Sequence, residues 1–116
     1  MLVRFVHAMN IANIRESTDD FHLLETTGRT QTATMTLKSG AASSDKLEVH
    51  PHSDQVLLVL KGVVTAEVGE ERTVLRRDDC IIIPADTQHR FINEGRETVF
   101  AFTVYGPPAY QTDDPT

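Results

Sequence analysis

The feature that most constrains the fold of this chain is a succession of short apolar runs, rich in β-branched residues and separated by turn-forming residues. Residues 31–37, QTATMTL, suit a half-exposed strand because threonine fits a pleated surface. Residues 55–60, QVLLVL, form a continuous apolar run that is typical of a strand covered on both faces. Helical periodicity is almost absent, so the pattern predicts an all-β sandwich or barrel.

The second half of the chain predicts two hairpins and one further strand. The hairpins are residues 63–77 and 89–105, each with a glycine in its turn. Between them, CIII at 80–83 is expected to be a buried strand, which makes Cys80 a buried small residue. Residues 10–27 fit either a helical turn or an edge strand, and both interpretations stay open.

Composition narrows the class of protein. A chain of 116 residues forms one domain, residues 1–116, with a core of its own. The single cysteine excludes a disulfide framework and a thiolate zinc cluster within one chain. A net charge of −6 argues against nucleic acid as a partner, since phosphate binding needs a basic surface. No membrane-length apolar run or signal-peptide pattern appears, so no membrane partner and a cytoplasmic location are expected.

The stretch HPHSDQ carries the first candidate ligands of a metal ion. If this stretch is a strand, His50 and His52 point to the same face, because side chains alternate along a strand. His89 follows the turn PADTQ at the expected start of another strand, and strand pairing would bring the three imidazoles together. Three neutral nitrogens suit Zn, Fe, Ni, Cu or Mn, with positions left for water or substrate. His7 and His22 are expected to be unrelated to this site.

Two motifs resemble those of the cupin superfamily over about residues 36–105. The motif positions are Gly40, His50, His52, Gln55 and Gly62 in the first, and Asp78, Pro84, Asp86, His89 and Asn93 in the second. The resemblance implies a single double-stranded β-helix (jelly-roll) barrel. The residues themselves predict an irregular N-terminal segment, and Pro107, Pro108 and Pro115 predict an extended or loose tail at 106–116. The resemblance also implies one divalent transition metal ion, held by His50, His52, Gln55 and His89.

Three departures from the family pattern have physical consequences. Gln55 stands where the family normally has glutamate, and its neutral carbonyl oxygen would hold a metal less tightly. The alternative is that its amide only hydrogen-bonds a ligand histidine or a metal-bound water. Asp78 and Asp86 replace glycines at positions that often need a positive φ, which aspartate tolerates next best. The connection from His52 to Gln55 is one residue shorter than the commonest family spacing.

Other polar residues are candidates for catalysis or substrate binding. Glu48 is in strand register with the histidine pair, so it is either a proton-transfer group or part of a rim salt bridge. Tyr105 is a second candidate catalytic residue, and with Lys38 and Arg90 it would either meet an anionic substrate or lie at the rim. The remaining expectations are that Asp54 caps a turn, that Asn93 ties down another, and that Met35, Phe91, Phe100 and Phe102 line the barrel or core.

The function that the resemblance implies is that of a mononuclear metalloenzyme. The metal would act as a Lewis acid on a small carbonyl, enol or carboxylate substrate, because the implied ligand set favours isomerase or lyase chemistry. One alternative is a metal-dependent dioxygenase. Another is a non-catalytic module that binds a sugar or other small molecule and has a structural metal. A homodimer is expected, because small cupins commonly pair.

Overall fold

The computed structural model describes residues 9–16 and 20–111 of the chain. These residues form eight β-strands, and their one helical element is a 3₁₀ turn at Ile14–Glu16. The strands are β1 (Phe21–Thr26), β2 (Gln31–Leu37), β3 (Asp54–Lys61), β4 (Val64–Val68), β5 (Glu71–Leu75), β6 (Cys80–Ile83), β7 (His89–Ile92) and β8 (Val99–Gly106). Within the described ranges, the structure has no helix of the length and hydropathy that a membrane span needs.

The strands form two antiparallel sheets that enclose one apolar core. The larger sheet has the order β1-β2-β8-β3-β6, and the smaller has the order β5-β4-β7. This arrangement confirms the all-β, double-stranded β-helix barrel that the sequence predicts. The segment 10–27 contains both of the elements that were weighed, since a 3₁₀ turn precedes strand β1.

The inward-facing side chains of β3 and β8 change from apolar at one end of the strands to polar at the other. Near one end, Val59 pairs with Ala101, and both side chains are fully buried in the apolar core. Near the other end, Gln55 pairs with Tyr105, and both are buried although both carry polar groups. Since buried polar groups need partners, this second end of the barrel is the natural place to look for a binding site.

The first predicted hairpin is confirmed, and the second is wrong. β4 and β5 pair directly and close with Val68 opposite Glu71. β7, in contrast, pairs with β4 in the smaller sheet, while β8 lies between β2 and β3 in the larger one. The glycine turn after β7 therefore carries the chain from one sheet to the other.

Asn93 fixes this crossing, which confirms its predicted role in a turn. Its side chain is fully buried, and its Nδ2 donates to the carbonyls of Leu37 (2.9 Å) and Glu97 (2.8 Å). Its Oδ1 accepts from the backbone N–H of Gly95 at 3.0 Å. A turn signal in the sequence is the same for a hairpin and for a crossing between sheets, so the sequence could not separate the two.

The prediction that β6 is buried is wrong for its outer face. β6 is an edge strand that pairs only with β3 among the described strands; Ile83 is buried in the core, but the alternate side chains point away from it. Cys80 is exposed, and Ile82 is 65% exposed. An apolar run predicts a strand but does not report whether a neighbouring layer covers it.

The two aspartates at glycine positions have the backbone conformation that was predicted for them. Asp78 has a φ of 74° and Asp86 a φ of 61°, in the left-handed region that aspartate tolerates better than most residues. The turns that flank β6 therefore survive the replacement of glycine.

Candidate metal centre

The segment before β3 is held against the turn before β7 by backbone hydrogen bonds. Glu48 and His89 exchange both of their backbone bonds, at 2.7 and 2.8 Å. Two residues further on, the carbonyl of His50 accepts from the N–H of Asp86 at 2.9 Å. These bonds join two segments that are far apart in sequence, and they fix the side chains that each one carries.

This pairing makes three side chains converge. Residues directly opposite each other in an antiparallel pair present their side chains on the same face, so Glu48 lies beside His89. The potential ligand atoms of Glu48, His50 and His89 all lie within 4.8 Å of one another. The two imidazole rings have centroids 5.0 Å apart, and His50 Nε2 is 3.8 Å from a carboxylate oxygen of Glu48.

His52 lies apart from these three residues. The expectation that a strand carries both His50 and His52 is wrong, because the chain turns at residues 51–52 and β3 begins only at Asp54. His52 is exposed in that turn. Asp54 caps a different turn, the one at residues 85–86, because its Oδ1 accepts from the N–H of Ala85 at 2.8 Å. Among the described residues, Glu48 and not His52 therefore lies in the cluster with His50 and His89.

Gln55 presents its amide oxygen to the same site. Its Nε2 donates to Thr103 Oγ1 at 3.0 Å and to the hydroxyl of Tyr105 at 3.2 Å. Thr103 can accept because its own hydroxyl proton is donated to the carbonyl of Val56 at 2.9 Å. The amide is therefore oriented with its nitrogen toward these hydroxyls and its Oε1 toward the interior.

Two atoms of this site are buried and have no hydrogen-bond partner among the described residues: His50 Nε2 and Gln55 Oε1. Such atoms are uncommon in proteins and call for an explanation. A carboxylate, two imidazoles and an amide oxygen are a donor set that suits a divalent transition metal. The residues present therefore fit the metal ion that the family resemblance implies.

The electrostatics of the site favour a neutral His50 imidazole with a free lone pair. Burial lowers the pKa of His50, the neighbouring His89 lowers it further, and Glu48 only partly opposes these effects. His89 Nδ1 lies 2.9 Å from the carbonyl oxygen of Thr87, a contact that the Nδ1–H tautomer satisfies. That tautomer leaves Nε2 of His89 as the nitrogen available to a metal.

Tyr105 is buried deep in the site. Burial is the largest cause that raises the pKa of its hydroxyl far above the ordinary value, and the neighbouring Tyr110 raises it further. The phenol therefore keeps its proton at neutral pH, so it can donate a hydrogen bond but does not act as a base. The catalytic roles predicted for Tyr105 and Glu48 stay predictions.

A cavity of about 280 Å³ opens beside these residues. Its lining includes Glu48, Gln55, His89 and Tyr105 from the site. The other lining residues are Asp20, Phe21, Met35, Leu37, Ala42, Ser43, Phe91 and Tyr110. Met35 and Phe91 thus lie where the sequence predicts, in the lining and core.

The remaining candidates lie away from the cavity. Lys38 is exposed, and Arg90 donates to Glu67 and to the carbonyl of Asp45, each at 2.9 Å. Phe100 and Phe102 are half-buried and alternate with the buried residues of β8, so the expectation that they line the barrel is wrong. His22 lies on β1, outside the converging cluster, and His7 lies outside the described residues.

Sequence reasoning missed the part that the C-terminal segment plays. The fully buried Gln31 donates to the carbonyl of Tyr110 at 2.9 Å and accepts from the N–H groups of Ala109 and Tyr110 at 3.1 and 3.0 Å. The Tyr110 ring is thereby held against Phe21, Tyr105 and His50, with centroid distances of 5.0, 5.3 and 5.5 Å. Prolines made this tail look loose, and no local pattern marks a glutamine in β2 as its anchor.

Comparisons with known proteins agree with this architecture. The family model described as Cupin domain matches residues 33–105. A protein of Acanthamoeba polyphaga mimivirus is 31% identical over 105 residues, which are 84% of this chain and 64% of that protein. The chain therefore spans less than two thirds of this relative.

Solved structures give the same result. A crystal structure from Bacillus halodurans has a TM-score of 0.78 and 27% identity, and the match covers 84% of this chain and 77% of that one. A cupin-superfamily structure from Silicibacter pomeroyi, described as a sugar phosphate isomerase, has a TM-score of 0.62 and 22% identity, with coverage of 74% and 58%. At that identity the second likeness shows the fold alone.

Proposed function

The chain belongs to the cupin domain family, and from that premise we propose that it is a mononuclear metalloenzyme that acts on a small oxygenated molecule by isomerase or lyase chemistry. The observation that carries the proposal is the convergence of Glu48, His50 and His89 beside a cavity. The fold itself is compatible with such chemistry, since a solved protein of this fold is described as a sugar phosphate isomerase.

The proposed ligands are Glu48, His50, Gln55 and His89. Glu48 takes the place that the sequence assigned to His52, and it adds one negative charge that the all-neutral set lacked. The unpartnered Oε1 of Gln55 supplies the fourth donor atom. A site with nitrogen and oxygen donors and no thiolate suits Zn, Fe, Mn, Ni or Cu, and the geometry does not choose among them.

The residues around the proposed metal ion have different roles in the proposed reaction. When bound, a divalent ion supplies Lewis-acid stabilisation of negative charge on a carbonyl or enol oxygen. Thr103 and Tyr105 hold the Gln55 amide in its orientation, and a ligand amide held in this way keeps its geometry when substrate enters. Tyr105 holds its proton at the phenolic oxygen, and Phe91 with Met35 excludes water from the inner wall.

The test is metal analysis of untagged protein with matched variants. Purified protein should contain close to one equivalent of a transition metal, or take it up after removal with a chelator. His50→Ala should lose the metal, whereas His52→Ala, which changes the exposed neighbour, should retain it. Circular dichroism confirms that both variants fold. Metal retained in His50→Ala, or lost only in His52→Ala, would contradict the ligand assignment, and no uptake by the wild type would overturn the proposed function.

The reaction class needs a separate measurement. Metal-loaded protein should exchange a substrate C–H proton with D₂O when it is screened against hydroxy ketones and enols, because isomerases and lyases of this kind pass through an enolate-like charge. Oxygen consumption without such exchange would point to the dioxygenase alternative. Neither reaction in a metal-replete protein would favour a binding module.

A further inference from the structure

The hydroxyl groups around the Gln55 amide form a chain in which each proton has a defined acceptor. Thr103 donates to the carbonyl of Val56 at 2.9 Å, so its oxygen is free to accept from Nε2 of Gln55 at 3.0 Å. The second proton of the same amide nitrogen is donated to the hydroxyl of Tyr105 at 3.2 Å. Tyr105 therefore accepts through its oxygen and still has one proton of its own to donate.

The proton of Tyr105 is donated to the hydroxyl of Tyr110. The two rings have centroids 5.3 Å apart in an edge-on arrangement, and their hydroxyl groups are hydrogen-bonded. Burial raises the pKa of both phenols, and in addition the shared bond raises the pKa of Tyr105 and lowers that of Tyr110. A hydrogen bond has these opposite effects when Tyr105 is the donor and Tyr110 is the acceptor. The oxygen of Tyr110 thus receives a proton from its neighbour, while its own proton is not used in this bond.

The proton of Tyr110 has no acceptor among the described residues, although the side chain lines the cavity. Its ring is held with its centroid 5.5 Å from that of His50. The carboxylate of Glu48 is close enough to add to the effect of burial in raising the pKa of Tyr110. Because the hydrogen bonds of Gln31 fix the backbone at this residue, the phenol is held in place beside the candidate ligands.

We propose that Tyr110 is a substrate-binding residue of the metal centre, and that its hydroxyl donates a hydrogen bond to an oxygen atom of the molecule in the cavity. The inference rests on the proposed function, because it concerns the substrate of the same site. Of the three hydroxyls in the chain, only that of Tyr110 has a proton left for a ligand. A carbonyl, enolate or carboxylate oxygen can accept it, and a charged oxygen gains most because charge-assisted hydrogen bonds are stronger.

The experiment compares two metal-binding probes on zinc-loaded protein by isothermal titration calorimetry. Acetohydroxamate binds a metal through oxygen atoms that also accept hydrogen bonds, whereas imidazole binds through one nitrogen and then offers only an N–H donor. Tyr110→Phe keeps the ring and removes the hydroxyl. This variant should bind acetohydroxamate about tenfold more weakly, which is the scale of one hydrogen bond to a charged group. Its affinities for imidazole and for zinc should stay within about twofold of those of the wild type.

Two further variants separate this role from a structural one. Gln31→Leu removes the anchor of the C-terminal segment and should also weaken acetohydroxamate binding more than imidazole binding. Gln111→Leu, at an exposed neighbouring position outside the cavity lining, should change neither. Circular dichroism confirms that each variant folds.

Three results would overturn the inference. The first is an acetohydroxamate affinity in Tyr110→Phe within about twofold of the wild-type value. The second is an equal loss for both probes, which would indicate a general disturbance of the site. The third is a loss of zinc affinity without a selective loss of acetohydroxamate, which would mean that the hydroxyl serves Glu48 and not the ligand. Failure of the wild type to take up zinc is a different outcome, because it refutes the proposed function itself and this inference with it.

Discussion

Replacing Gln31 with leucine should release the C-terminal segment that packs over the candidate metal centre. The Gln31 amide makes hydrogen bonds to Ala109 N–H, Tyr110 N–H, Tyr110 C=O and Thr26 Oγ1. Leucine fills nearly the same volume, so the loss is mainly that of the hydrogen bonds. At about 0.5–1.5 kcal/mol net for each of the four bonds, their removal predicts a loss of about 2–6 kcal/mol in the free energy of unfolding. We expect the low end of this range, because the backbone groups of Ala109 and Tyr110 are only half-buried and form hydrogen bonds with water once the segment is released.

Urea denaturation measures this loss directly, and a thermal melt should shift by roughly 4 °C per kcal/mol for a domain of this size. A second readout separates release of the tail from general destabilisation: NMR signals of the Tyr110 ring should lose their contacts with Phe21 and Tyr105. Gln111→Leu, at an exposed position next to the anchored residues, is the matched control. If Gln31→Leu costs less than about 0.5 kcal/mol, or keeps those ring contacts, the anchoring role is refuted.

Three further predictions concern the turns and the site. Asp86→Ala should destabilise the protein by about 1 kcal/mol, whereas Asp86→Gly should be nearly neutral, because glycine and aspartate accept the left-handed φ more easily than alanine does. Equal urea midpoints for the two variants would contradict this. Thr103→Val should lower metal affinity by about 10–100-fold in competition titrations, because it removes the hydrogen bond that orients Gln55. The control is Thr36→Val, on the outer face of β2, and equal metal affinities of the two variants would count against the role of Thr103. In metal-free protein the NMR titration midpoint of His50 should lie below 6.5, the ordinary value. Since its folded pKa is depressed, the unfolded chain binds protons more readily, and the contribution of His50 to stability is lost as the pH falls below 6.5; a midpoint at or above that value would contradict the burial argument.

The strands were predictable from the sequence because each one leaves a local pattern. β2 and β3 follow from a threonine-rich run and an apolar run, and the β4–β5 hairpin follows from its glycine turn. The positive φ values of Asp78 and Asp86 were predictable from the motif positions they occupy. These features are fixed within a few residues of chain, where steric and pairing rules act directly.

The errors fall where a result depends on distant partners. The exposure of the outer face of β6 depends on whether another layer covers that face, and the path after β7 depends on which sheet receives β8. The convergence of Glu48 with His89 depends on the register in which the segment before β3 pairs with the start of β7, and no local pattern in the sequence reports that register. A one-residue or two-residue change of register is invisible in composition but decides which side chains meet.

The change from an apolar to a polar interior along β3 and β8 bears on how such a protein can evolve. The end around Val59 and Ala101 supplies apolar burial, while the end around Gln55 and Tyr105 carries the buried polar groups of the candidate site. Substitutions at the polar end can therefore alter the ligand or the reaction while the folding free energy is carried elsewhere. A barrel divided in this way can exchange one activity for another through a few changes at its open end, without having to rebuild the interior that keeps it folded.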